Sequence, residues 1–150
     1  MTGIELIATE RMRQVKQEGW TPEHDDEHDD GSLALAAVCY ATPVRLYEQH
    51  EYAAGPAFRD PWPDSWDDGW DKRYRYGERR TNPGNMPPDP DTYTDKERLD
   101  LLVKAGALIA AEIDRLQRAA LKTANAKVTR RASARSLLTA VLCHKGRYDD

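Results

Sequence analysis

A concentration of possible metal ligands lies near the N-terminus, in the sequence GWTPEHDDEHDDGS. The eight positions from Glu23 to Asp30 hold six carboxylates and two histidines. Carboxylates this close together repel one another, and either a bound cation or exposure to water relieves that repulsion. The run therefore indicates one of two things: a metal site, or a solvated acidic loop that caps the next helix.

Helical spacing would bring several of these side chains to one face. His24 and His28 are four positions apart, and the pairs Asp25–His28 and Asp26–Asp29 are three apart. Residues at such spacings are neighbours on a helix surface. Carboxylate oxygens suit Mg²⁺ or Mn²⁺, and a histidine ligand shifts the preference towards Mn, Zn or Ni.

A second pair of carboxylates, Glu97 and Asp100, has the spacing E-x-x-D, which places both on one helical face. Acids are also typical of the first turn of a helix, where they interact favourably with the helix dipole. Lys104 follows one turn further on, placed either to bind a phosphate or to pair with Asp100.

The N-terminal part of the chain predicts two helices that would position the acidic run. Apolar residues recur at helical spacing over residues 4–18, with Thr2 as a candidate cap and Gly19 as a candidate stop. A second helix starts within the acidic run, and its segment 33–41 is apolar almost all round, which predicts burial. Beyond Thr42-Pro43, residues 44–52 could resume this helix.

A long Trp/Pro-rich connection, residues 54–94, separates these helices from the C-terminal ones. Three tryptophans in it are spaced four apart, so a short helix could place them on one face, either for packing or for stacking on a base: Trp62, Trp66 and Trp70. A third helix is predicted over 95–121 with Asp95 as its cap, followed by a joint at 122–127 and a basic helix at 128–143.

Composition favours a single all-α domain over residues 1–150, with about four helices in a bundle. The net charge of −4 argues against nucleic acid as the main partner, despite the basic bias after residue 122. Cys39 and Cys143 suggest neither a disulfide framework nor a metal pair, so a cytoplasmic location is expected. No stretch approaches 18 apolar residues, which excludes a membrane span.

Two segments together resemble a known enzyme family. They are HDDGSLALAA, residues 28–37, and ERLDLLVKAGALIAAEI, residues 97–113. They are similar to the all-α nucleoside triphosphate pyrophosphohydrolases, the MazG-like and dimeric dUTPase-like enzymes, whose signature is E-E-x-x-E on one helix and E-x-x-D on the next. The blocks are also similar to small phage-encoded proteins. The resemblance covers roughly residues 4–41 and 95–118.

The family's signature is matched only in part. Glu97 and Asp100 match its E-x-x-D, and Asp29 matches the second acid of its first motif. His28 replaces the first acid, and Ser32 stands where the third is expected. A metal site would therefore recruit further carboxylates from the acidic run.

The resemblance implies metal-dependent hydrolysis of a nucleoside triphosphate to the monophosphate and pyrophosphate, in a homo-oligomer, with Mg²⁺ or Mn²⁺ as cofactor. Glu97 and Asp100 would be the catalytic residues. Trp20, or a tryptophan of residues 62–70, would stack on the base. Lys104 would bind the phosphates, or arginines of the long connection would do so: Arg73, Arg75, Arg79 and Arg80. The resemblance implies Asp29, Glu97 and Asp100 as metal ligands, and we infer Asp25, Asp26 and His28 as substitutes for the acids that the first motif lacks.

A second hypothesis is a non-enzymatic phage accessory or inhibitor protein. It would bind a host protein through the acidic loop, or through the basic C-terminal helix. Ser32 distinguishes the two hypotheses, because an intact enzyme of the family should carry an acid at that position, whereas an interaction protein on the same helices need not.

Overall fold

The structure, a computed structural model, describes residues 1–74 and 87–145, except for the side chains of residues 68 and 132–145. It divides into two compact units, Met1–Ile113 and Asp114–Asp150. The described chain is mostly helical but includes a two-stranded antiparallel sheet. The all-α prediction is therefore right about the helices and wrong about one hairpin. The arrangement of the helices as a bundle stays a prediction.

Helix α1 (Gly3–Arg13) has the two ends that the sequence predicts. The Thr2 hydroxyl accepts the Glu5 N–H at 3.3 Å, and the Glu5 carboxylate accepts the Thr2 N–H at 2.7 Å, which forms a capping box. The helix continues as a π-helical turn, Gln14–Glu18. Gly19 ends this turn with a φ of 78°, a left-handed conformation that glycine adopts without steric cost. The π turn itself was not predicted.

The acidic run forms a short helix of its own, α2 (Pro22–Asp26), instead of opening the next one. Thr21 caps α2 by accepting the N–H of His24 at 3.4 Å, and Pro22 occupies the first turn, where its missing N–H costs nothing. The following residues then turn through Gly31, whose φ is 83°. The predicted single helix is therefore two helices with a turn between them.

Helix α3 (Ser32–Ala41) buries most of its side chains in the core. Leu35 and Val38, however, are 37% and 48% exposed. The prediction that this helix is buried all round is therefore wrong on one face. The N-cap of α3 is Gly31, which makes no side-chain capping hydrogen bond, and Asp30, one residue earlier, accepts the Ser32 N–H at 2.9 Å.

A β-hairpin follows, formed by β1 (Glu48–Tyr52) and β2 (Gly55–Arg59), with Glu48 opposite Arg59 and Tyr52 opposite Gly55. The prediction that α3 resumes over 44–52 is wrong, because Thr42 precedes Pro43 and adopts an extended conformation that ends the helix. Most side chains on both strands are exposed, so no apolar alternation marks the strands in the sequence.

The described part of the long connection contributes side chains to the core. Trp62 and Trp66 are 2% and 6% exposed and pack edge-to-face. The only helical turn near them is a 3₁₀ turn at Asp68–Trp70, so the described residues do not form one helix that carries all three tryptophans. The core cluster also draws on α3 and α4: Leu33, Ala36, Ala37, Cys39, Tyr40, Leu101, Ala105, Leu108 and Ala111.

Helix α4 (Asp95–Lys145) is continuous through the joint predicted at 122–127, so the separate fourth helix is a wrong prediction. The cap is Thr94, not Asp95: its hydroxyl accepts the Glu97 N–H at 3.3 Å, and the Glu97 carboxylate accepts the Thr94 N–H at 2.7 Å. The helix continues through the predicted joint because a threonine destabilises a helix by well under about 1 kcal/mol relative to alanine. The Thr123 hydroxyl also donates a hydrogen bond to the main-chain carbonyl four residues earlier. The predicted loose tail, residues 146–150, lies outside the described residues.

Among the helices that the structure describes, none combines the length and apolar character needed to cross a membrane.

Candidate functional site

The predicted metal ligands of the acidic run have other partners. Asp25 is 1% exposed and forms an ion pair with Arg11 of α1. The Nδ1 atom of His28 accepts the indole N–H of Trp66 at 3.3 Å and lies 3.2 Å from the Ser32 hydroxyl. Burial, together with the nearby His24, lowers the pKa of His28 and favours the neutral ring. These contacts give Asp25 and His28 roles in packing.

The remaining predicted ligands do not complete a metal site. Asp29 and Asp100 are exposed, Asp26 is half-buried, and Glu97 caps its own helix. Within the described ranges, which include every predicted ligand, no three His, Cys, Asp or Glu side chains are grouped to hold a metal ion. Mg²⁺ or Mn²⁺ at these residues therefore stays a prediction from the sequence.

The two residues predicted to bind substrate do come together. Trp20 and Lys104 line one cleft, which we call the Trp20 cleft. Its walls also include Glu10, Arg13, Gln14 and Trp70.

The π-helical turn builds one wall of this cleft. The Gln14 carbonyl accepts the main-chain N–H groups of both Gly19 and Trp20, the latter at 3.2 Å. The indole of Trp20 is thereby held next to the side chains of α1. Such π turns are rare and occur frequently at functional sites.

Aromatic rings form a second wall. The ring centroids of Trp20 and Trp70 are 5.5 Å apart, and those of Trp66 and Trp70 are 5.6 Å apart at an angle of 70°. His24 lies nearly parallel to Trp20, with a centroid distance of 6.3 Å. Since these rings hold one another in place, Trp20 presents a positioned aromatic surface to the cleft.

The Glu10 carboxylate binds two of the cations that line the cleft. Glu10 accepts two hydrogen bonds from Arg13, at 2.7 and 2.8 Å, and one from Lys104 at 3.3 Å. Burial acts to raise the pKa of Glu10, but the hydrogen bonds and charges of Arg13 and Lys104 outweigh it, so the pKa is lowered. Glu18, which also lines the cleft, accepts a further hydrogen bond from Arg13 at 2.8 Å, so the lining sets three cations, Arg13, Lys72 and Lys104, beside two carboxylates.

Sequence reasoning missed Glu10, Arg13 and Gln14. A faint signal exists, since their spacing of three and four puts these polar side chains on one face of α1. Charged residues on an amphipathic helix are nevertheless typical of a solvated face. Only the contact with Lys104, far along the chain, distinguishes them.

The arginines proposed as phosphate ligands do not line this cleft as far as the structure describes them. Arg73 is 7% exposed and is bound by Asp60 and Asp71. Arg75, Arg79 and Arg80 lie outside the described residues.

Comparison with known proteins gives no match to a family model, to a curated protein or to a solved structure. The resemblance to the pyrophosphohydrolases therefore stays a prediction from the sequence.

Proposed function

We propose that this protein binds a nucleoside triphosphate in the Trp20 cleft and hydrolyses it to the monophosphate and pyrophosphate. The observation that carries the proposal is the convergence of Trp20 and Lys104 in one cleft. The sequence predicts a substrate-binding role for each of these residues. They are far apart along the chain, and no sequence pattern predicts that they are neighbours in the fold.

The aromatic wall supports recognition of a base. Stacking of a nucleobase on an aromatic side chain contributes about 1–3 kcal/mol and tolerates every base, because each has a π face. Trp20 is half-buried, so part of its ring remains accessible from the cleft.

The cations support recognition of phosphate. A lysine ammonium has three N–H donors, and the Lys104 ammonium donates one of them to Glu10. Arg13 and Lys72 also line the cleft. Phosphate oxygens bound here would replace part of the hydration of these cations with charge-assisted hydrogen bonds.

Hydrolysis is supported by the resemblance of the α3 and α4 segments alone. The carboxylates of the proposed signature are not grouped around a metal site, so we assign no step to Mg²⁺ or Mn²⁺. Asp100, an exposed carboxylate of the E-x-x-D pair, remains the side chain whose removal tests this part. The homo-oligomer implied by the resemblance is checked separately, by light scattering.

The experiment measures binding and turnover in parallel. Nucleotide binding to the full chain is followed by tryptophan fluorescence, and pyrophosphate release by a coupled assay, across NTPs and dNTPs with Mg²⁺, Mn²⁺ or EDTA. Lys104→Gln should weaken binding about tenfold, whereas Lys96→Gln, an exposed lysine on the same helix, should not. Asp100→Ala should abolish pyrophosphate release without abolishing binding.

The outcomes separate the two parts of the proposal. Binding without pyrophosphate release in any metal would contradict hydrolysis and leave a nucleotide-binding protein. No binding of any nucleotide by folded protein would overturn both parts.

A second candidate function has one specific observation in its favour. Glu23, Glu27 and Asp29 are exposed, so the acidic segment presents carboxylates to the surroundings. Such a surface fits a basic groove on a protein partner, as in the accessory or inhibitor hypothesis. The test is chemical cross-linking of the protein to a host partner. A variant with these three carboxylates replaced by Gln or Asn should no longer cross-link to the partner, whereas the Lys104→Gln variant should still do so.

A further inference from the structure

Charge is divided unequally between the two units of the chain. Residues 1–113 contain 13 Lys or Arg and 23 Asp or Glu, a net charge of −10, whereas residues 114–150 contain 9 Lys or Arg and 3 Asp or Glu, a net charge of +6. The whole-chain value of −4 therefore conceals a cationic unit. We propose that this unit binds the phosphate backbone of double-stranded DNA through residues 118–131 of α4, which we call the basic segment. This inference does not depend on the proposed nucleotide function.

The cations of the basic segment are accessible. Every side chain from residue 119 to residue 131 is exposed, and Arg118 is half-buried. The sequence has no Asp or Glu between Asp114 and Asp149, so the segment contains no acid of its own. A polyanion that binds here releases counterions from the DNA, which is the driving force of sequence-independent DNA binding.

The cations lie on two opposite sides of the helix. Helix α4 is continuous over the whole basic segment. Nine residues make about two and a half turns of an α-helix, so Arg118 lies opposite Lys127, and Lys122 lies opposite Arg131. Arg130 is three positions from Lys127 and extends the row of cations on that side.

This arrangement fits the major groove of B-form DNA. A helix with its side chains is about 10–12 Å across, and the groove is about 12 Å wide, with a phosphate backbone along each wall. Cations on opposite sides of one helix can therefore reach phosphates of both strands. A-form RNA has a major groove too deep and narrow for side chains to read, so duplex DNA is the better fit.

An anionic membrane surface fits the basic segment less well than DNA does. A helix that lies in a membrane surface needs a broad apolar face, which commonly includes Trp, Phe or Leu. The segment has two large apolar side chains, Leu121 and Val128, which are 64% and 66% exposed, and no aromatic residue. Its binding energy must therefore come mainly from charge.

The experiment titrates the full chain into a fluorescent DNA duplex of about 20 base pairs and follows the anisotropy at several salt concentrations. Near physiological salt we expect a Kd of about 10⁻⁴–10⁻⁶ M. The slope of log K against log salt concentration should be about −3 to −4.5, as for three to five phosphate contacts. An RNA duplex of the same sequence should bind at least about fivefold more weakly. Vesicles of equal parts phosphatidylserine and phosphatidylcholine, added at equal negative charge, should not displace the DNA.

Matched variants locate the interaction. The first variant neutralises three cations of the basic segment: Lys127→Gln, Arg130→Gln and Arg131→Gln. It should bind the duplex about tenfold or more weakly, with a salt slope shallower by about 3. Glutamine is a good helix former, and circular dichroism checks that α4 persists.

A control variant makes the same change in net charge elsewhere. It neutralises three cations outside the basic segment: Lys16→Gln, Arg59→Gln and Lys96→Gln. Its affinity for the duplex should stay within about twofold of that of the natural chain, because salt screens charges that do not contact the phosphates.

Four results would overturn the proposal. Absence of duplex binding by folded protein at low salt would exclude a DNA-binding segment. Equal losses of affinity in the two variants would mean that net charge alone governs binding. Equal or tighter binding of the RNA duplex would contradict the fit to the major groove, and displacement of the DNA by vesicles would favour a membrane partner. The comparison of DNA with RNA uses the natural chain, so it holds even if a variant does not fold.

Discussion

Arg73 joins the two ends of the tryptophan-rich segment. Its guanidinium lies 2.8 Å from a carboxylate oxygen of Asp60 and 2.7 Å from one of Asp71, and 5.1 Å from the ring centroid of Trp62. Burial acts to lower the pKa of Arg73, but the two carboxylates more than compensate and raise it, so the group stays charged. A buried charge is tolerated only because each partner is hydrogen-bonded.

Replacing Arg73 should therefore be costly. Arg73→Ala leaves two buried carboxylates without their cation and should lower the free energy of unfolding by about 3–5 kcal/mol. Urea denaturation measures the change. In the control, Arg59→Ala removes an exposed ion pair with Asp64 and should cost less than about 1 kcal/mol. Similar losses in both variants would contradict a structural role for the buried cluster.

Glu10 should make stability depend on pH. Its folded pKa lies below the ordinary value of 4.5, so the unfolded chain binds the proton more tightly. Ionised Glu10 therefore stabilises the fold fully above pH 4.5, and this contribution disappears as the pH falls through the lowered folded pKa. We expect the destabilisation caused by Glu10→Gln to be largest near neutral pH and to shrink in acid. A difference that is constant with pH, in urea unfolding curves, would contradict this.

At the scale of elements, α1 and α4 approach each other closely at one glycine. A Cβ atom placed on Gly106 would lie 2.5 Å from Cδ1 and 2.7 Å from Cγ1 of Ile7. Both distances are shorter than van der Waals contact, so only glycine fits without a shift of Ile7. This contact brings Lys104 on α4 near Glu10 on α1, which the cleft requires.

Gly106→Ala should destabilise the protein by about 1–3 kcal/mol through overpacking, although alanine is the better helix former by about 1 kcal/mol. In an Ile7→Ala background, the same change should become neutral or stabilising, because the clashing atoms are gone. A double-mutant cycle of urea unfolding measures the coupling. Gly3→Ala is the control, since a Cβ there meets nothing within 4 Å. Additive effects of the two substitutions would contradict the close approach.

At the scale of the whole molecule, the Trp20 cleft lies within the unit Met1–Ile113. The core cluster lies there as well. A unit that contains its own core is expected to fold by itself.

A fragment of residues 1–113 should therefore unfold cooperatively and retain the tryptophan environment of the full chain. Near-UV circular dichroism and urea unfolding followed by tryptophan fluorescence measure this. The free energy of unfolding of the fragment should be only modestly lower than that of the full chain, because the shortened α4 frays at its new end. A fragment without a cooperative transition would contradict an independent unit.

Features that depend on neighbours in the chain could be predicted from the sequence. Thr2 and Gly19 were identified as the ends of the first helix because capping boxes and left-handed glycines are local. The hairpin was missed because its exposed faces carry no apolar alternation. The continuity of α4 was missed because weak helix formers at 122–127 resemble a boundary, although each costs little.

The same division applies to the site. The sequence by itself determined that Trp20 offers an aromatic ring and Lys104 a cation, and the structure places both side chains in the lining of one cleft. Only the tertiary structure decided the partners of the carboxylates: Asp25 pairs with Arg11, and Glu10 with Arg13 and Lys104. The physical reason is that an acid's spacing along a helix sets its face, whereas packing between distant elements sets which cation, ring or water lies opposite that face.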